Sequence, residues 1–280
     1  MNLTDLFESL EVQELATGFQ FTEGPVWHPA GYLLFSDIPA NIIYRWEEGQ
    51  PVRPWRTPSG HSNGLTYDRQ GRLIACEHGN RRVSRLEPDG RVTVLASHYQ
   101  GKRLNSPNDV VVRSDGSIYF TDPPYGIKPE EKELPFNGVY RISPQGDVEL
   151  LVDDFDRCNG LAFSPDERTL YIDDTVRRHI RAFDVAPSGR LSRGRIFAEM
   201  VSDKEGGPDG MKLDVEGNIY CTGPGGLWVY RPDGELVGAI YPPQRPANVA
   251  FGGPDRKTLF ITARTSLYAL RTKLPGLPVF

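Results

Sequence analysis

Apolar and polar residues alternate along this chain in short runs, and the runs come in sets. Val110 to Val112 and Ser117 to Phe120 are β-branched and aromatic stretches joined by a Ser-Asp-Gly turn, which is a hairpin pattern. Asn108-Asp109 precedes the pair; Thr-Asp and a proline-rich loop follow it. The same phrase returns as EGPVWHPAGYLLFSD from Glu23, NGLTYDRQGRLIACE from Asn63, NGLAFSPDERTLYIDD from Asn159, DGMKLDVEGNIYCTG from Asp209 and NVAFGGPDRKTLFITA from Asn248. Successive versions are 40, 45, 51, 50 and 39 residues apart. Strand-rich units with a period near 45 predict a β-propeller, whose blades pack radially around a channel.

The expected fold is all-β: a six-bladed propeller of four antiparallel strands per blade, with blades starting near 23, 63, 108, 159, 209 and 248. Length alone suggests two domains, but a closed ring makes residues 1–280 one domain. Two further strands complete most blades, such as Arg82 to Leu86 and Val92 to Ala96 in the second. The last blade supplies only three, and residues 12–19, VQELATGF, alternate like its missing outer strand. Pairing the two chain ends hides a sheet edge. Residues 1–8 suit a short helical turn.

Composition narrows the function. The 29 Gly and 24 Pro fit many tight turns, and the net charge of −5, without a basic block, argues against nucleic acid. No signal-like leader or apolar run of membrane-spanning length is seen, so a cytoplasmic location without membrane contact is expected. Cys76, Cys158 and Cys221 make no disulfide framework and read as buried apolar residues.

The six phrases begin with Glu23, Asn63, Asn108, Asn159, Asp209 and Asn248. Equivalent blade positions lie on one ring, so six oxygen-bearing side chains converge on the channel. Holding turns explains a single Asn at a strand start. It does not explain carboxylates in two blades. Buried facing carboxylates need a counter-ion or a raised pKa, and a divalent cation supplies the former. Oxygen donors favour Ca²⁺, with Mg²⁺ or Mn²⁺ as alternatives. The absence of His and Cys from the ring argues against structural zinc, though not against catalytic Zn²⁺. The candidate ligands are Glu23, Asn159 and Asp209, with Asn108 at or beside the ion. Asn63 is a substrate-binding candidate, and Asn248 is undecided between site and scaffold.

The second strands end at Asp37, Glu77-His78, Asp122, Asp173-Asp174, Gly223 and Arg264, a second ring expected at the opposite mouth. Strand-end solvation explains most of these, with Asp173 and Asp174 singled out. His61, His78 and His98 read as solvated or substrate-facing. Gly60 to Gly64 spells G-x-S-x-G, but a strand follows where a nucleophile elbow needs a helix, so Ser62 is rejected as a nucleophile.

FTEGPVW, SPND before a strand, CNGLAFSPD and GGPDGMKLD together resemble the gluconolactonase / senescence-marker-protein (regucalcin) family. The stretch from ACEHGNRR to TDPPYGI is especially similar to its bacterial gluconolactonase branch. The resemblance covers about residues 18–270 and implies a propeller with one divalent cation that hydrolyses sugar lactones. It implies Glu23, Asn159 and Asp209 as metal ligands and Asn108 in contact with substrate or metal. The animal branch carries a sugar-binding Arg where this chain has Ser106; Arg103 or Lys102 is the expected substitute. Asp209, or a neighbouring carboxylate, is the candidate acceptor of the water proton. Asn108 and Asn63 are candidates to orient sugar hydroxyls, with Tyr125 as a further substrate contact. The loops Tyr125 to Phe136 and Ser202 to Pro208 are lid candidates. Hydrolysis of other lactones or phosphotriesters, and a non-catalytic binding scaffold, are the alternatives.

Overall fold

A computed structural model describes all 280 residues, apart from the side chain of Arg193. Six four-stranded antiparallel sheets form a ring, as the repeat predicts. Blade 1 runs Thr22–His28, Tyr32–Asp37, Ile42–Trp46 and Arg53–Arg56 from the axis outward. Blade 2 runs Ser62–Tyr67, Leu73–Glu77, Arg82–Leu86 and Val92–Ala96. Blade 3 has Val110–Val112, Ile118–Asp122, Asn137–Ile142 and Val148–Phe155, and blade 4 has Cys158–Phe163, Thr169–Asp174, His179–Val185 and Leu191–Glu199. Blade 5 has Met211–Leu213, Ile219–Thr222, Leu227–Tyr230 and Leu236–Ile240. Blade 6 has Asn248–Gly252, Thr258–Ala263 and Ser266–Arg271, and its outer strand is Gln13–Thr17 from the other end of the chain. That pairing sets Gln13 against Ala269 and Thr17 against Ser266. Leu3–Leu6 is the short helix, capped by Asn2, and no helix is long and apolar enough to cross a membrane. The alternation did not reveal the small hairpin His98–Tyr99/Lys102–Arg103, whose strands are two residues each.

Each sheet packs both faces against neighbouring blades, so inner strands such as Ser62–Tyr67 and Cys158–Phe163 are buried along their whole length. Aromatic side chains fill the wedges between blades: Trp27 of blade 1 stacks on Phe260 of blade 6 at 5.6 Å, and Phe19, Phe35 and Tyr44 form one cluster. Burial of each such ring contributes about 1.5–3 kcal/mol. Close approach at the axis depends on the glycine that follows four of the six ring residues. A Cβ on Gly24 would lie 1.9 Å from the Asn63 carbonyl oxygen of blade 2, and one on Gly160 2.0 Å from the Asp209 oxygen of blade 5. Gly64 stands in the same relation to Asn108, whose carbonyl accepts its N–H at 2.8 Å. Glycine therefore lets adjacent inner strands touch, and the ring residues are drawn into one layer.

Candidate active site and cation site at one mouth of the channel

Glu23, Asn63, Asn108, Asn159 and Asp209 line one cavity of about 360 Å³ at a mouth of the channel, together with Tyr125. Glu23, Asn63 and Asn159 sit one residue into their inner strands, whereas Asn108 and Asp209 just precede theirs. Glu23, Asn63, Asn108 and Asn159 are buried, and Asp209 is half-buried. Hydroxyl groups on second strands help hold the layer: Ser36 Oγ donates to the Asn63 carbonyl at 2.7 Å, and Thr121 Oγ1 to the Asn159 carbonyl at 2.7 Å.

Glu23 Oε2 accepts the Gly24 N–H at 2.7 Å and the Asn248 amide at 3.0 Å. The sixth ring residue thus braces Glu23 and does not line the cavity. Asn159 is oriented from behind: its Nδ2 donates to Thr175 Oγ1 at 3.1 Å and lies 3.3 Å from the Tyr125 hydroxyl, while Thr175 donates to the Pro208 carbonyl at 2.8 Å. With its amide nitrogen engaged there, Asn159 has Oδ1 left to accept. Asn63 Nδ2 lies 3.4 Å from His78 Nε2, and its Oδ1 is buried without a partner. Burial holds the His78 pKa down at about 4, so this ring nitrogen pair is neutral near pH 7.

Burial drives the Glu23 and Asp209 carboxyl groups up from their ordinary range, and further charges add to it: Asp109 at Glu23, Glu23 and Asp109 at Asp209. Asp173, which is fully buried, is raised by burial and by Asp209 and Asp109, and its Oδ1 has no partner. Such a set asks for a cation. Among the described residues no three His, Cys, Asp or Glu side chains gather as a metal cage. Any ion here therefore relies on carboxamide oxygens beside the two carboxylates, and the orphan oxygen of Asn63 and the turned amide of Asn159 fit that need.

The second-strand ends lie at the same mouth as the ring, not at the opposite one. In an antiparallel hairpin the second strand returns to where the first began: Thr22 pairs with Asp37, Ser62 with Glu77 and Cys158 with Asp174. Three of these carboxylates have a shared task. Asp37 accepts the N–H groups of Gln20 and Phe21, Asp122 those of Asn105 and Ser106, and Asp174 those of Asp156 and Arg157. Each fixes the backbone two and three residues before a ring residue. Asp122→Ala leaves two buried donors unpaired and is expected to cost about 2–4 kcal/mol, read by urea unfolding, with Asp122→Asn costing about half. An unchanged midpoint in the alanine variant would remove this bracing role.

Arg103 does not reach the cavity. It is exposed on the small hairpin, its backbone N–H held by Glu133 at 2.7 Å and its guanidinium facing the Asn80 carbonyl at 3.3 Å. Ser106 is buried and its hydroxyl accepts the Gly126 N–H. The cationic side chain at the cavity is instead Arg245, which lies along Gly206, where an added Cβ would come within 3.3 Å of its Cδ. Arg245, Thr175, Phe21 and Ile38 carry no signal in the repeat, because they come from loops outside the repeated phrase, and Asn248, open between site and scaffold on sequence, is scaffold. His78 is buried and cavity-facing. His61 is exposed and bonds the Ile38 carbonyl. The lid candidates contribute Tyr125 and Gly206-Gly207 to the wall. Ser62 is buried in a strand beside Ser36, and the three cysteines are buried and free.

Residues 21–265 match the profile of the SMP-30/Gluconolactonase/LRE-like region. The gluconolactonase of Zymomonas mobilis is 38% identical, covering 96% of this chain and 83% of that protein. A solved gluconolactonase from Xanthomonas campestris superposes with a TM-score of 0.88 at 36% identity, covering 96% of this chain and 92% of that one. A solved calcium-binding regucalcin from Agrobacterium tumefaciens shares the fold, with a TM-score of 0.82 at 20% identity over 95% of each chain. The ring of repeated oxygen residues, the six blades and these likenesses agree: the chain belongs to the SMP-30/gluconolactonase/LRE-like family.

Proposed function

We propose that this protein is a cation-dependent lactonase that opens sugar lactones by water attack. The observation that carries it is the pairing of charge-strained Glu23, which is buried, and Asp209, which is half-buried, with carboxamide oxygens inside a cavity large enough for one sugar ring. Its relatives from Zymomonas and Xanthomonas are gluconolactonases, and its Agrobacterium relative binds calcium. Glu23, Asn159 and Asp209 would hold the ion, most simply Ca²⁺, with Asn108 beside it. When bound, the ion supplies Lewis acidity toward the ester carbonyl and a lower pKa for water. The remaining tasks fall to the chain. Asp209 accepts the proton of the attacking water; the carbonyl carbon gains that oxygen, the ring C–O bond breaks, and the ring oxygen leaves as a hydroxyl after taking a proton. Asn63 and Asn108 hydrogen-bond the sugar hydroxyls, Tyr125 closes one side, and neutral His78 keeps the Asn63 amide turned.

The substrate grip comes from Arg245 and not from Arg103. Arg245→Ala is expected to raise KM about tenfold with a smaller change in kcat, because a hydrogen bond from a charged group to bound substrate contributes about 1.5–3 kcal/mol. Arg103→Ala is expected to stay within about twofold of the parent in both constants. Equal effects of the two changes would overturn this assignment. The reading as a whole is tested by assaying glucono-1,5-lactone, other aldonolactones and a phosphotriester side by side. Faster opening of aldonolactones supports it; turnover of the phosphotriester alone would reassign the ester class.

A further inference from the structure

We propose that the opposite mouth of the channel is a second binding site, built for an amphipathic monoanion: an apolar body carrying one carboxylate or sulfonate. The inner strands run out there around a cavity of about 420 Å³, within the range of small-ligand sites. Val26, Thr66, Val111, Ala162 and Lys212 each stand three residues after a ring residue, and all five line the cavity, joined by Ala250 from blade 6. Five of these six positions are small or apolar. Blade 5 breaks the pattern with lysine.

Lys212 is half-buried, and its Nζ donates to the Met211 carbonyl at 3.0 Å. Among the described residues it has no carboxylate within 4.0 Å. Asp109 acts on it only at longer range. Arg69 stands exposed at the rim of the same cavity and is likewise without an ion-pair partner among the described residues. The rim acids are already engaged. Asp166 accepts the Ser164 hydroxyl at 2.7 Å and the Arg168 N–H at 3.1 Å, while Glu167 accepts the Ser114 N–H at 2.8 Å and faces Arg113 at 3.8 Å. A half-buried ammonium above an apolar wall, with a second cation at the rim, complements an anion attached to an apolar body. Phe163, Phe251 and the tail residues Leu277 and Val279 supply the apolar contact. This site is separate from the lactone-opening mouth and does not rest on that reading.

The test titrates the full chain with 8-anilinonaphthalene-1-sulfonate and with uncharged N-phenyl-1-naphthylamine, a matched apolar probe. One saturable sulfonate site per chain is expected, with the amine at least tenfold weaker. Lys212→Met should weaken the sulfonate about tenfold and leave the amine unchanged. Arg69→Ala, a surface change that spares the fold, should weaken the sulfonate about threefold. Val111→Trp, which fills the cavity, should remove both probes. The proposal is overturned by equal affinity for the two probes, by the absence of a saturable site, by sulfonate binding that survives Val111→Trp, or by sulfonate binding unchanged in both charge variants.

Discussion

Glu23→Gln is expected to lower lactone opening on the order of a thousandfold while leaving the fold intact. Glutamine can still accept the bonds that Gly24 and Asn248 give to Oε2, so the brace on the ring survives. What it loses is the charge that would hold a cation, whose polarisation of the carbonyl contributes several kcal/mol. Stability should move the other way. Burial raises the Glu23 pKa above its ordinary 4.5, so the folded, cation-free protein keeps a proton that the unfolded chain releases. Its stability therefore falls as pH rises from that ordinary value through the raised one, and glutamine removes this part of the slope. At pH 8 without cation, Glu23→Gln should melt no lower than the parent. A variant that melts lower and retains full activity would contradict both halves.

Gly160→Ala is expected to cost about 3 kcal/mol or more. Its backbone conformation is open to any residue, so the penalty is purely one of contact. The added Cβ would meet the Asp209 carbonyl oxygen at 2.0 Å and Asp173 Oδ2 at 2.8 Å. The first of these belongs to the backbone of the next blade and cannot swing aside. Activity should fall with stability, because the strand displaced is the one that presents Asp209. An unfolding midpoint in urea equal to the parent's would mean the inner strands are not in contact there.

The repeated phrase made both the blades and the ring legible, for the same physical reason. Oxygen-bearing side chains at one position in successive hairpins must converge when the hairpins close on an axis, and Glu23, Asn63, Asn108, Asn159 and Asp209 do. Pairing of the chain ends was legible because Gln13–Thr17 alternates and the last blade lacks a strand. Asp37, Asp122 and Asp174 lie at the ring's own mouth because an antiparallel hairpin returns to where it began, and their work as acceptors for the backbone before Glu23, Asn108 and Asn159 leaves no mark in the repeated phrase. Arg103 was the expected substitute for the sugar-binding Arg that the animal branch carries at the position of Ser106. The hairpin that carries it pairs Arg103 with His98 and keeps it on the surface. Arg245 and Thr175 lie in loops of irregular length, where no period marks a position. Asn248 shares the ring's register but is spent on Glu23, a role that depends on distance and not on residue type.

The most direct test is to strip the purified chain with chelator, then measure glucono-1,5-lactone opening and melting temperature as Ca²⁺ is added back. Cation-dependent catalysis at the ring requires opening to vanish on stripping and return with one bound ion per chain, with a rise in melting temperature that Glu23→Gln does not show. Undiminished opening by protein shown to hold no metal would contradict it.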